Sequence, residues 1–118
     1  MRRNHRSLQA WQLGIQLVED VYAATKSFPR EEVFGLTAQM RRAAVSVPAN
    51  IAEGAARGST RELGRFIAIA AASLSELDTH IEIARRLGYL NTDNLRDQVD
   101  TVSAVLMGLA ASLKQKLQ

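Results

Sequence analysis

From Leu63 to Ala84 an apolar side chain returns every three or four residues, through Ile67, Ala70, Leu74, Leu77 and Ile81. This spacing puts one side of an α-helix into a core and does not fit the strict alternation of a half-buried strand. At 1.5 Å per residue the segment reaches about 30 Å. A helix of that length needs partners along its whole apolar face.

Three further segments supply them. Leu8, Trp11, Ile15, Val18, Tyr22 and Thr25 form a stripe that ends near Ser27, where Pro29 stops the helix. After the linker PREEVFG a second helix is expected from about Leu36 to Arg57, with Leu36, Met40, Ala43, Val47 and Ile51 on one face and Gly54 and Gly58 near its end. Pro48 lies inside it, removes one backbone hydrogen bond and crowds the Ala44 carbonyl, which predicts a kink. Ser59-Thr60-Arg61-Glu62 reads as a capping box opening the third helix, and Gly88 offers its C-cap. Thr92 is expected to cap the fourth, whose Leu95, Val99, Val102, Leu106, Leu109 and Leu113 alternate gaps of four and three like a coiled-coil seam. Four helices with short connections predict an all-α, up-down-up-down four-helix bundle. Its 118 residues suit a single domain, 1–118, with residues 1–6 as a basic arm.

Two stripes exceed what a solitary bundle needs. Leu13, Leu17 and Val21 lie roughly opposite the stripe centred on Ile15, and Phe66, Ile69 and Ile83 widen the apolar arc of the third helix. A contiguous apolar face calls for cover, so Leu13, Leu17 and Val21 are assigned to the interface of a homo-oligomer.

The charge is even along most of the chain. Fifteen Lys+Arg against twelve Asp+Glu give +3, and that excess lies wholly in residues 1–30, equal to the charge of Arg2, Arg3 and Arg6. Acidic residues open helices and basic ones close them, as the helix dipole favours. Twelve of the fifteen cations are Arg, the residue suited to bidentate phosphate contacts. Candidate nucleic-acid contacts are therefore Arg2, Arg3 and Arg6, then Arg41, Arg57, Arg61 and Arg65.

Catalytic and cofactor chemistry finds little support. The absence of cysteine excludes disulfides, thiolate metal sites and cysteine nucleophiles. Gly54 and Gly58 follow a helix and do not join a strand to one, so no phosphate loop is formed. A di-iron bundle requires two Glu-x-x-His pairs, whereas Glu76 to His80 is one residue too long and the only other histidine is His5. No metal, no cofactor and no enzymatic activity are expected, and His80 is read as a surface or hydrogen-bonded helix residue. Ser46, Ser73 and His80 lack the strained nucleophile turn of a hydrolase. The longest nearly apolar run, Phe66 to Leu74, is too short to span a bilayer, and Gln9 and Gln12 interrupt any signal-peptide core. A cytoplasmic protein without a membrane partner is expected.

One polar feature stands out. Arg42, Ser46, Asn50, Glu53 and Arg57 share one side of the second helix, and Ser73 and Glu76 occupy a comparable flank of the third. Buried hydrogen bonding that fixes register, with Ser46 or Asn50 bonding carbonyls freed by Pro48, is one reading. A binding groove lined by Arg42, Asn50 and Glu53 is the other.

These residues carry a resemblance. Arg41-Arg42-Ala43 with Ser46-Val47-Pro48, Asn50-Ile51-Ala52-Glu53-Gly54, Ser73 with Glu76-Leu77, and Leu87-Gly88-Tyr89 closely resemble the bacterial family of 23S rRNA intervening-sequence proteins, over about residues 8–90. The resemblance implies a small cytosolic four-helix bundle assembled as a ring-shaped homopentamer. Some relatives are encoded within intervening sequences of ribosomal RNA genes. Others, the accessory variability proteins of diversity-generating retroelements, are basic pentamers that bind nucleic acid and a reverse transcriptase. Expected partners are thus further copies of the chain, RNA or DNA, and a reverse transcriptase or other protein. The role implied is a non-enzymatic oligomeric bundle that binds RNA or DNA, or alternatively a structural or protein-interaction module that binds none.

Overall fold

A computed structural model describes residues 4–118, so Arg2 and Arg3 of the expected arm lie outside the described residues. Four helices carry the fold: α1 (Gln9–Thr25), α2 (Leu36–Ala56), α3 (Thr60–Arg86) and α4 (Asn94–Lys116), with 3₁₀ turns at His5–Ser7 and Arg30–Glu32. Among the described residues there is no strand. Each helix packs on its neighbours in sequence and α4 returns to α1. The result is a four-helix bundle with extents of 47 × 20 × 19 Å, whose long axis α3 nearly fills.

The core confirms the stripes of α2, α3 and α4 and corrects that of α1. Met40, Val47 and Ile51 of α2, Ile67, Leu77 and Ile81 of α3, and Val102 and Leu106 of α4 share one core cluster, all almost fully buried. On α1 the inward face is Ala10, Gly14, Leu17, Val21 and Thr25. Leu17 and Val21 are 0% exposed in the single chain, so they form the core of one bundle and no interface between bundles. Leu13 is half-buried beside Val102 in the α1/α4 seam. The stripe read from the sequence, Trp11, Ile15 and Val18, is a half-buried flank, and Tyr22 is exposed. α1 comes close to α2 at Gly14, where an added Cβ would touch the Pro48 ring at 3.4 Å. Trp11 and Ile15 stand on the flank, while Leu17 and Val21 carry the core contact of α1.

Helix ends follow the expected chemistry in part. Ser59 Oγ accepts from the Glu62 amide at 3.1 Å, but the Glu62 carboxylate turns to arginines instead of returning to the cap. Gly88, at φ +80°, ends α3 while the Tyr89 amide bonds the Ala84 carbonyl at 2.8 Å. Thr92 does not cap α4; the helix starts later, with Asp93 at the N-cap position and its carboxylate on Arg85. α2 runs unbroken through Pro48. Its first amide is held from outside: Glu32 Oε1 accepts from Leu36 N at 3.1 Å while Oε2 accepts from Tyr89 OH at 3.0 Å. That bond to Glu32 pushes the Tyr89 hydroxyl above its ordinary pKa. Phe28 packs on Tyr89 with ring centres 5.3 Å apart, tying the α1–α2 connection to the end of α3.

Candidate functional site

The α2/α3 interface positions the polar stripe. Gly54 allows the close approach, since a Cβ there would stand 2.7 Å from Phe66 Cβ. About two turns away the small Ser46 and Ser73 meet, their hydroxyls 2.8 Å apart. The Asn50 amide donates to the Ser46 carbonyl at 2.8 Å and to its hydroxyl at 2.9 Å. Neither bond reaches the Ala44 carbonyl that Pro48 leaves without a helical donor, which corrects the expected compensation. The Ser46–Ser73 bond joins the two helices beside a groove of about 400 Å³ lined by Gln39, Arg42, Ala43, Ser46, Ser73 and Glu76.

Arg42, Ser46, Asn50, Ser73 and Glu76 are thus brought together, whereas Glu53 is not. Glu53 pairs with Arg57 at 3.1 Å, one helical turn on. His80, read as a surface or hydrogen-bonded residue, is buried at 5% exposure. Its Nε2 lies 3.7 Å from Glu76 Oε2, and its Nδ1 has no partner among the described residues. The groove therefore offers a guanidinium at one side, a carboxylate at the other and hydroxyls between them. Such a surface hydrogen-bonds; it holds no arranged nucleophile, base and oxyanion donor.

The candidate nucleic-acid residues divide by their partners. Arg57 bridges Glu53 and Glu62, Arg65 holds Glu62 at 3.0 Å, and both guanidinium groups lie over Phe66, at 5.1 and 4.5 Å. The hydrogen bond from Arg65, joined by the charges of Arg65 and Arg57, holds the Glu62 carboxyl below its ordinary range against some desolvation. Arg41 donates from Nε to Thr25 Oγ1 at 2.9 Å and lies 4.5 Å over Tyr22. Arg61 is exposed and, like Arg42, pairs with no carboxylate among the described residues. Arg6 is exposed on a docked turn, not on a free arm. Asn4 Oδ1 accepts from the Arg6 amide, Gln12 donates to the Arg6 carbonyl, and the guanidinium lies 5.3 Å over Trp11 beside His5.

A second surface escaped the sequence reading. Phe34 is 94% exposed, and beside it a groove of about 430 Å³ runs along α1 and α2, lined by Tyr22, Val33, Thr37, Ala38, Arg41, Arg42 and Val45. The signal was two adjacent apolar residues, Val33 and Phe34, directly after the charged Arg30-Glu31-Glu32. No helix is long and apolar enough to cross a membrane among the described residues. The family model described as 23S rRNA-intervening sequence protein matches residues 6–108. No curated protein matches the chain.

Proposed function

We propose that this chain, which belongs to the 23S rRNA-intervening sequence protein family, is a non-enzymatic up-down-up-down bundle. In this reading it assembles into a ring-like homo-oligomer in the cytoplasm, five copies by the resemblance, binds RNA or DNA, and scaffolds a partner protein such as a reverse transcriptase. The observation that carries the nucleic-acid part is the clustering of charge at one end. The whole positive excess lies in residues 1–30, and Arg6 is held on the bundle surface against Trp11 and His5. Arginine stacked with aromatic rings suits both phosphate and base contacts. Copies of that end on one assembly bind multivalently, so weak single contacts add to useful affinity.

The test is binding of a short RNA and of duplex DNA across salt, for the intact protein and for one lacking residues 1–6. Truncation is expected to weaken binding and to flatten the salt slope, by roughly 0.9 per duplex phosphate no longer neutralised. Unchanged binding shifts the site to Arg42 and Arg61. No binding by either protein at low salt overturns the nucleic-acid reading. A second reading, an interaction module without nucleic acid, is favoured by the internal pairing of Arg57, Arg65, Arg85 and Arg86 with carboxylates.

A further inference from the structure

The connection between α1 and α2 is ordered by its own bonds yet presents its apolar residues to solvent. Glu32 N donates to the Pro29 carbonyl at 2.9 Å, Val33 N to Arg30 at 3.1 Å and Gly35 N to Glu32 at 2.9 Å. The Glu32 side chain faces inward, occupied at both oxygens by Leu36 N and Tyr89 OH. Phe34, 94% exposed, and Val33, 49% exposed, are therefore held out by a built loop. An aromatic side chain presented in a preorganised loop loses little freedom on docking, and such residues anchor interfaces.

The groove beside them has a matching character. Tyr22, Val33, Ala38 and Val45 supply its apolar wall, Arg41 and Arg42 supply its charge, and no carboxylate lines it. Its complement is a segment both acidic and apolar. Glu31-Glu32-Val33-Phe34 is such a segment, and with Glu32 turned inward the exposed Glu31 is the carboxylate left to meet Arg42.

We propose that the Glu31–Phe34 loop of one copy docks into the Tyr22/Arg42/Val45 groove of a second copy, with Phe34 on the apolar wall and Glu31 on Arg42. This rests on the self-association in the proposed function and replaces Leu17 and Val21 as its surface.

Sedimentation from about 1 to about 100 μM, where a contact of modest area dissociates, tests it. Phe34→Ser is expected to weaken association by roughly tenfold or more with helix content by circular dichroism unchanged, as loss of an aromatic anchor does. Arg42→Glu and Glu31→Arg are each expected to weaken it, and the double variant to restore it. Association of Phe34→Ser equal to that of the unaltered chain, or failure of the double variant to recover, overturns the docking surface while leaving self-association standing. An unaltered chain that stays monomeric throughout overturns self-association itself. If the Phe34 and Arg42 variants lose RNA binding and keep their association, the groove is a nucleic-acid surface and the proposal is wrong.

Discussion

Gly54 sets the distance between α2 and α3, and replacing it with alanine tests how that interface is built. The added methyl would stand 2.7 Å from Phe66 Cβ, 3.2 Å from Leu63 Cδ1 and 3.3 Å from Leu63 Cα. Carbon atoms rest about 3.5–4.0 Å apart, so the nearest pair needs roughly 1 Å of additional room. Rotamer changes cannot supply it, because Phe66 Cβ and Leu63 Cα move only with the α3 backbone. Overpacking of this kind costs about 1–3 kcal/mol, and the upper end applies where a whole helix must shift against its partner. Removing glycine from a helix interior returns about 1 kcal/mol of propensity. The net loss is then about 2 kcal/mol, which for a domain of this size lowers the melting temperature by roughly 6–12 °C.

Gly64 is the control within α3. No heavy atom lies within 4 Å of a Cβ built there, so Gly64→Ala keeps the propensity gain without the clash. It is expected to stabilise by about 0.5–1 kcal/mol. Thermal melts of both variants and the unaltered chain, at one protein concentration, read the contrast. A Gly54→Ala protein melting at or above the unaltered chain would show that α2 and α3 separate without penalty, and the close-approach argument would fail.

Leu17→Glu is expected to abolish folding, not to release intact monomers, because a buried carboxylate without a partner costs several kcal/mol; native helix content with altered mass by sedimentation would contradict the core assignment. Asn50→Ala removes two bonds to Ser46 but leaves the Ser46–Ser73 pair, so chemical denaturation should show a loss of only about 0.5–1.5 kcal/mol. The Glu62 carboxyl is held below its ordinary range, so its contribution is present above that range and is lost as pH falls through the lowered value. Glu62→Gln should therefore show a smaller drop in melting temperature between neutral and acid pH; an unchanged drop would mean that Arg65 and Arg57 gain nothing from the carboxylate when the chain folds.

The helices were legible wherever large apolar residues mark the buried face. The stripes of α2, α3 and α4 in the sequence are the core stripes in the fold. On α1 the same rule selected the wrong side, because Ala10 and Gly14 are small where α1 meets α2 and the bulky Trp11 and Ile15 flank the contact. Hydropathy registers size and apolarity, whereas a close helix contact selects for smallness. Thr92 failed as a cap for a different reason. Side-chain capping competes with other partners, and the Arg85–Asp93 pair lies at that helix start. The exposed Phe34 could not be read from its own neighbourhood, since its orientation depends on a contact fifty-seven positions away, Glu32 with Tyr89.

The polar stripe was legible as a cluster because α2 and α3 each carry its members at helical spacing, and its division of labour emerges only from packing. Ser46 and Ser73 satisfy each other in one register of the two helices. A slip of a single turn, 5.4 Å, would separate them and bring Gly54 away from Phe66. A hydrogen bond and a steric fit thus specify the same alignment, which is how a polar pair serves uniqueness more than net stability. Glu53 is drawn off to Arg57, and His80 is buried behind Glu76. Arg42 and Glu76 are the charged members left at the groove rim, and Arg42 alone also lines the groove beside Phe34. The register lock therefore fixes where the Arg42 guanidinium stands relative to Ser73 and Glu76 across the α2/α3 groove, so interior alignment of α2 on α3 determines what that surface presents.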